Sequence, residues 1–262
     1  MRWTMAGDNN SEIALITGAS SGIGRAYAEA LAPQCKAMLL VARDAAKLAA
    51  VAQALAGSGC EVHCIAVDLC EPLGVAEVME AIRQKGPVTI LINNAGFATN
   101  TALIDSDLDG ELAMLSLHCE AAVSLCRGAL PYMAEHGRGK IINVASLAGL
   151  IPMKGAAVYG ASKAFLVAFS QSLAKESYKQ GIAVQCLCPG YTHSDFHGRE
   201  TLGGFDKNSV PAEFWSTAEE VVAESLAAFT ADAAPVVVVP GEHNRQWVRA
   251  EQERQRAALD AQ

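Results

Sequence analysis

A hydroxyl, a phenol and an ammonium group stand close together in the stretch NVASLAGLIPMKGAAVYGASK, as Ser146, Tyr159 and Lys163. Three such groups can meet at one carbonyl oxygen and serve oxidation and reduction there. Tyr159 and Lys163 are four apart, so on a helix they share a face and the ammonium lies near the phenol or its surroundings. A free tyrosine titrates near pH 10 and is a poor base in neutral water, at about 0.1% phenolate. An adjacent cation favours phenolate and moves that value toward the working range. An isolated Tyr-x-x-x-Lys is more often an ordinary amphipathic turn with an exposed lysine, so the surrounding chain decides.

The frame that must hold these groups repeats along the sequence. Short runs rich in β-branched residues alternate with longer alanine- and leucine-rich stretches, the pattern of βαβ units around a parallel sheet buried on both faces. Strand candidates are IALIT from Ile13, AMLLVA from Ala37, VHCIAVD from Val62, TILIN from Thr89, KIINVAS from Lys140, IAVQCLCP from Ile182 and VVVV from Val236. These seven fit one doubly wound α/β sheet with helices on both faces. Helices are predicted to begin near Gly22, Asp44, Leu73, Ser106, Ala157 and Thr217, the last with the Thr217-to-Glu220 spacing of a capping box. Residues 1–262 read as one domain, of which 1–11 form a flexible N-terminus. Residues 191–215 are polar and glycine-bearing, as expected of a substrate lid. Residues 242–262 suit a polar tail helix whose Trp247 and Val248 dock while its end frays.

The first strand runs into TGASSGIGR, which places Gly18, Ser20, Ser21, Gly22, Ile23 and Gly24 in the turn that opens the next helix. Glycines there let backbone approach a pyrophosphate at the helix N-terminus, whose unpaired N–H groups and dipole favour anions. A strand before and a helix after distinguish a Rossmann-type dinucleotide site from a flexible loop. Arg43 and Asp44 follow the second strand, where such folds select their cofactor. Arg43 comes first, and its planar fork suits a ribose 2′-phosphate, so NADP(H) is favoured over NAD(H). Asp44 is the alternative acceptor for a free 2′-hydroxyl, but its place suits the N-cap of the next helix.

With these motifs in this order, the chain resembles a classical short-chain dehydrogenase/reductase from Ile13 to about Gly241. TGASSGIG meets the family pattern T-G-x-x-x-G-x-G, and Ser146, Tyr159 and Lys163 keep the family's spacing of thirteen and four. The resemblance implies an adenine contact at Asp68, with Leu69 beside it, and a cofactor loop at Asn93, Asn94, Ala95 and Gly96. It also implies a nicotinamide-pocket turn at Pro189 and Gly190, and places Tyr159 as the proton donor to a carbonyl, held by Ser146. Lys163 would lower the tyrosine pKa and bond the nicotinamide ribose. Thr192 and Ser194 are the hydroxyls available to the nicotinamide carboxamide, Ser194 nearer the usual place. The family's usual asparagine in the long fourth helix is here His118, read as a working substitution in a proton relay. A homodimer or homotetramer, formed through the fourth and fifth helices, is implied as well. Asn93 and Asn143 are assigned a structural role, holding neighbouring strands through backbone bonds.

Charge and composition narrow the partners. A net charge of −8 excludes a nucleic-acid footprint, and the arginines from Arg245 to Arg256 alternate with glutamates as on a solvated helix face. Eight cysteines lack the paired spacing of a zinc site or secreted scaffold and read as free thiols. No segment approaches the roughly 18 apolar residues of a membrane span, so a cytoplasmic protein is expected. His193 and His197 are four apart, but Ser194 stands where a zinc-protease helix needs glutamate, and no metal site is assigned. Leu147, Leu150, Ile151, Met153, Phe196, Phe205, Phe214 and Trp215 suggest a fairly apolar carbonyl or alcohol substrate of medium size. The competing function is a cofactor-binding regulatory or scaffold protein whose catalysis is weakened at His118. A Ser146 hydrolase would lack a nucleophile elbow and leave the glycine turn unexplained.

Overall fold

The computed structural model describes residues 12–194, 196, 202, 206–230 and 234–260. Its first half runs β1 (Glu12–Thr17), α1 (Gly22–Leu31), β2 (Cys35–Ala42), α2 (Ala45–Ala54), β3 (Glu61–Ala66), α3 (Pro72–Lys85) and β4 (Ile90–Asn93). The second half begins with α4 (Leu108–Leu115), a π-helical turn (Ser116–Ala121) and α5 (Ala122–Glu135). It continues through β5 (Gly139–Val144), α6 (Ala157–Ser177), β6 (Ile182–Leu187), β7 (Tyr191–His193), β8 (Trp215–Thr217), α7 (Ala218–Thr230), β9 (Val237–Val238) and α8 (Glu242–Asp260).

Seven parallel strands form one sheet in the order β3-β2-β1-β4-β5-β6-β9. Both faces are covered, which is why the strands read as continuous apolar runs. Ala14, Ile16, Met38 and Leu40 point to the side of α1, α2 and α7, while Ile13, Leu15, Leu39 and Val41 point to the side of α3, α5 and α6. The predicted starts of α2 and α7 have their physical cause in caps. Asp44 accepts from the Lys47 amide at 2.9 Å, and Thr217 and Glu220 cap each other's amides at 2.8 and 3.1 Å.

The chain winds outward one way from β1 and the other way from β4, so the carboxyl ends of these two strands leave a crevice at the topological switch point. Thr17 closes the crevice's floor: its hydroxyl accepts from the Asn94 and Ala95 amides at 2.9 Å each, and Asn94 Nδ2 donates to the Thr17 carbonyl at 2.9 Å. Asn93 and Asn143 stand opposite each other in the β4–β5 backbone ladder, as expected, and their side chains add a second link. Asn93 Nδ2 donates to Asn143 Oδ1 at 2.9 Å, and Asn143 Nδ2 reaches Ser170 of α6 at 2.9 Å. That ladder fixes the helix of Tyr159 and Lys163 to the sheet.

Two segments differ from expectation. The fourth helix is interrupted by the π turn, which carries His118. Residues 191–215 do not begin and end as free loop: β7 and β8 pair in parallel, with Tyr191 opposite Trp215 and His193 opposite Thr217, and the His193 ring stacks on Trp215 at 4.8 Å. The expected flexible N-terminus and the lid residues Asp195, His197 and Phe205 lie outside the described residues. Among the described residues, no helix is long and apolar enough to cross a membrane.

Candidate active site

Ser146 leaves the end of β5 in extended conformation and caps the short turn Leu147–Gly149, accepting from the Ala148 amide at 3.2 Å. The Leu147 amide donates to the Pro189 carbonyl at 3.0 Å, which ties the serine loop to the Pro189-Gly190 turn. Tyr159 and Lys163 project from the first two turns of α6 toward them. Lys163 is buried; its Nζ donates to the Val144 carbonyl at 3.0 Å and lies 5.7 Å from the centre of the Tyr159 ring.

Electrostatics here correct one expectation. Burial pushes the Tyr159 phenol up to about 12, the Ser146 hydroxyl pulling against it and nearby Cys188 adding to it, so the expected lowering of the phenol does not occur. Burial also lowers the Lys163 ammonium to about 8. Desolvation dominates both groups, so the protein's own groups keep the phenol protonated at neutral pH.

These three side chains wall a cavity of about 460 Å³, opposite the glycine turn. Gly18, Ser21, Gly22, Ile23, Asn94, Ala95, Gly96, Pro189, Gly190, Thr192 and Ser194 also line it. A neighbouring hollow holds Ser20, Arg43, Asp68 and Leu69, and the two share Gly18, Ser21, Ala95 and Gly96. The predicted positions thus meet along one elongated cleft over the switch point. Gly24 and His118 lie behind its wall.

The cleft fits a dinucleotide on its own geometry. Gly18 and Gly22 have φ of +65° and +53°, the left-handed region where side chains are strained. A Cβ on Gly24 would stand 2.3 Å from the Gly18 carbonyl oxygen and 2.5 Å from Asn94 Nδ2, so only glycine lets α1 sit this close. Ser21 gives α1 no side-chain cap, leaving its first amides to face the cleft as a cradle for an anion. In the second hollow, the exposed Arg43 pairs with Asp68 at 3.5 Å. Burial raises the Asp68 carboxyl, but bonds from Cys70 and the Arg43 charge outweigh it and hold it below its ordinary value. Lys47, which the sequence did not single out, lines the same hollow.

Met153, Phe196, Leu202 and Trp247 give the cavity an apolar wall, with Thr99, Asn100 and Lys154 among its polar members. Leu147 also lines it, whereas Leu150 and Ile151 pack beneath. Phe214 and Trp215 do not reach the cavity: Phe214 packs edge-on against Trp247 at 5.9 Å, and Trp215 under His193. Trp247 as a wall was missed because only the folded return of α8 brings it there. Thr192 donates to the Gly190 carbonyl at 3.1 Å, and Ser194 stands over Gly22 and bonds the Phe196 amide at 3.3 Å. His118 bonds Ser162 Oγ through Nδ1 at 2.8 Å and the Phe97 amide through Nε2 at 3.3 Å.

Comparison with known proteins agrees with this geometry. A family profile described as short chain dehydrogenase matches residues 12–202. A 3-oxoacyl-[acyl-carrier-protein] reductase from Bos taurus is 35% identical over 185 residues, 70% of this chain and 77% of that one. A short-chain dehydrogenase from Sphingobium yanoikuyae in complex with NADPH superposes with a TM-score of 0.82 at 35% identity, covering 95% of both chains. The bulky-bulky ketone specific alcohol dehydrogenase from Comamonas testosteroni does so at 0.78 and 32%, covering 95% of this chain and 94% of that one. The chain belongs to the short-chain dehydrogenase family, oxidoreductases that act on alcohol and carbonyl groups.

Proposed function

We propose that the chain is an NADP(H)-dependent oxidoreductase that interconverts fairly apolar ketones or aldehydes with their alcohols, using Tyr159 as the proton-transfer group. The observation that carries this is the meeting of Ser146, Tyr159 and Lys163 on one cavity wall facing the glycine turn. A bound nicotinamide supplies hydride to a carbonyl carbon, or takes it from an alcohol. The α1 amides, Gly18 and Gly22 would hold the pyrophosphate, with Gly24 letting α1 sit close, Asp68 and Leu69 would hold the adenine end, and Asn94, Ala95 and Gly96 the middle. Arg43, with Lys47 beside it, suits a 2′-phosphate. Pro189, Gly190, Thr192 and Ser194 shape the nicotinamide end, and Lys163 is placed for its ribose. Ser146 holds the substrate oxygen and Tyr159 delivers the proton as negative charge develops there. The NADPH in the Sphingobium neighbour supports the cofactor choice, and the apolar wall of Met153, Phe196, Leu202 and Trp247 supports a bulky apolar substrate.

Steady-state assays on a panel of ketones, with NADPH and with NADH, test this together with Arg43→Ala. Turnover should be fastest on apolar bulky ketones with NADPH. The variant should raise the NADPH KM about 10- to 100-fold, as loss of a charge-assisted contact worth roughly 1.5–3 kcal/mol requires, and leave the NADH KM nearly unchanged. Equal losses for both cofactors would remove Arg43 from the 2′-phosphate site. Cofactor affinity with no turnover on any carbonyl would establish the regulatory reading instead.

The protein is expected to act as a homodimer or homotetramer. Ile104 (92% exposed), Leu103, Leu108 and Leu112 lead into and along α4, and Phe165 of α6 is also exposed, giving the two helices apolar surface to share with a second copy. Sedimentation equilibrium should give two or four times the 27.4 kDa chain mass; a monomer at micromolar concentration contradicts it.

A further inference from the structure

His118 is 2% exposed and sits on the π turn, a local widening of helix frequent where a side chain must leave α-helical register. The Phe97 amide can only donate, so the Nε2 it bonds at 3.3 Å carries no proton. Burial, and then the Lys163 charge, hold the imidazole well below 6.5, so it is neutral and its one ring proton is on Nδ1. That proton is donated to Ser162 Oγ at 2.8 Å, and Ser162 donates its own to the Tyr159 carbonyl at 2.7 Å. Every link runs in the same sense. The chain begins at a backbone amide and ends at a backbone carbonyl, neither of which exchanges a proton in catalysis.

Mechanical contact follows the same path. A Cβ on Gly96 would lie 2.8 Å from His118 Nε2, so the Asn94–Gly96 loop rests on the ring, and the ring meets Tyr159 edge-on at 5.8 Å between centres. We propose that Ser162 and His118 are positioning residues: they form a hydrogen-bonded strut from Phe97, at the end of the cofactor loop, to the backbone of Tyr159. The strut holds the phenol in register with the cleft and takes the place of the proton relay expected at His118. To relay, Nε2 would have to give up the Phe97 amide, and the proton leaving Nδ1 would stop at Ser162, whose hydrogen is already committed. The functional part of this inference rests on Tyr159 being the acid-base group.

The test uses four variants of the full chain: His118→Gln, His118→Ala, Ser162→Ala and the double alanine. Glutamine offers one acceptor and one donor at a spacing close to that of the two ring nitrogens, but no titrating group. If the strut positions, His118→Gln keeps kcat within about threefold of wild type, with the pH limbs of kcat unmoved. Each alanine variant lowers kcat about tenfold or more with the NADPH Kd nearly constant, since small misplacements of a reacting group are costly. The double variant then falls no further than the worse single one, because both break one strut. A His118→Gln variant as slow as His118→Ala, a displaced pH limb in it, or a Ser162→Ala variant with wild-type kcat overturns the proposal. Coupling between the two sites is also read from thermal melts, which do not depend on the chemistry. Coupled melts beside an active Tyr159→Phe variant would place the failure in the acid-base assignment and leave the strut standing. Additive melts and additive kcat losses would refute the strut itself.

Discussion

Tyr159→Phe should lower kcat for carbonyl reduction by about 10³-fold, within the range of roughly 10²–10⁴ that a positioned proton donor contributes. Phenylalanine keeps the ring that meets His118 at 5.8 Å and Phe196 at 6.3 Å, so the packing of the α6 face survives and NADPH should bind with nearly unchanged Kd. What is lost is the hydroxyl, whose proton burial has fixed by pushing the phenol up to about 12. The sign follows for pH. Reduction needs the protonated phenol, which is present throughout the neutral range, so its rate should be flat there. Oxidation needs phenolate, which is scarce below that value, so the rate of alcohol oxidation should climb as pH rises through neutrality, until loss of the Lys163 charge above about pH 8 opposes the climb. Stopped-flow measurement of the hydride-transfer step in both directions checks both statements. Unchanged turnover in the purified phenylalanine variant, or an oxidation rate independent of pH, contradicts the assignment.

The sequence made the seven strands legible because their burial on both faces demands unbroken apolar runs, and the starts of α2 and α7 because Asp44 and the Thr217–Glu220 pair are local caps. The glycine turn was legible for the same reason: a Cβ at Gly24 has no room, so residue identity records geometry directly. Other features depend on partners far away in the chain. Ser162 is an ordinary helical serine until His118, 44 residues earlier, turns toward it. The π turn reflects a choice of hydrogen-bond register to which composition is blind. β7 and β8 have three residues each, too few for alternation to register as a pattern. The tyrosine–lysine spacing was read correctly as geometry but misjudged as energetics, because burial, which dominates both groups, belongs to the folded chain.

Lys163→Met should abolish most turnover, by about 10²–10³-fold, and should also change how stability depends on pH. Methionine fills the buried stem's space but removes a charge placed next to the reacting groups, whose loss from such a site costs on that order. For stability, the ammonium titrates near 10.5 when unfolded and near 8 when folded, lowered by burial. Below pH 8 both states carry the charge, and the folded state bears a desolvation cost of about 3 kcal/mol. Between about 8 and 10.5 the unfolded chain binds more protons than the folded one, so wild-type stability rises with pH relative to the variant. At neutral pH the relief of desolvation in Lys163→Met is opposed by the Val144 carbonyl, which loses its donor at roughly 1–3 kcal/mol. Thermal melts of both proteins across pH 7 to 10 should therefore start close together and separate in favour of wild type. The comparison cancels the titrating groups on which the Lys163 charge does not act, so parallel curves would mean that the buried lysine keeps its ordinary affinity for its proton. Divergence with the expected sign would show an ammonium held at neutral pH against its own burial, a cost that only its place beside Tyr159 and the cleft explains.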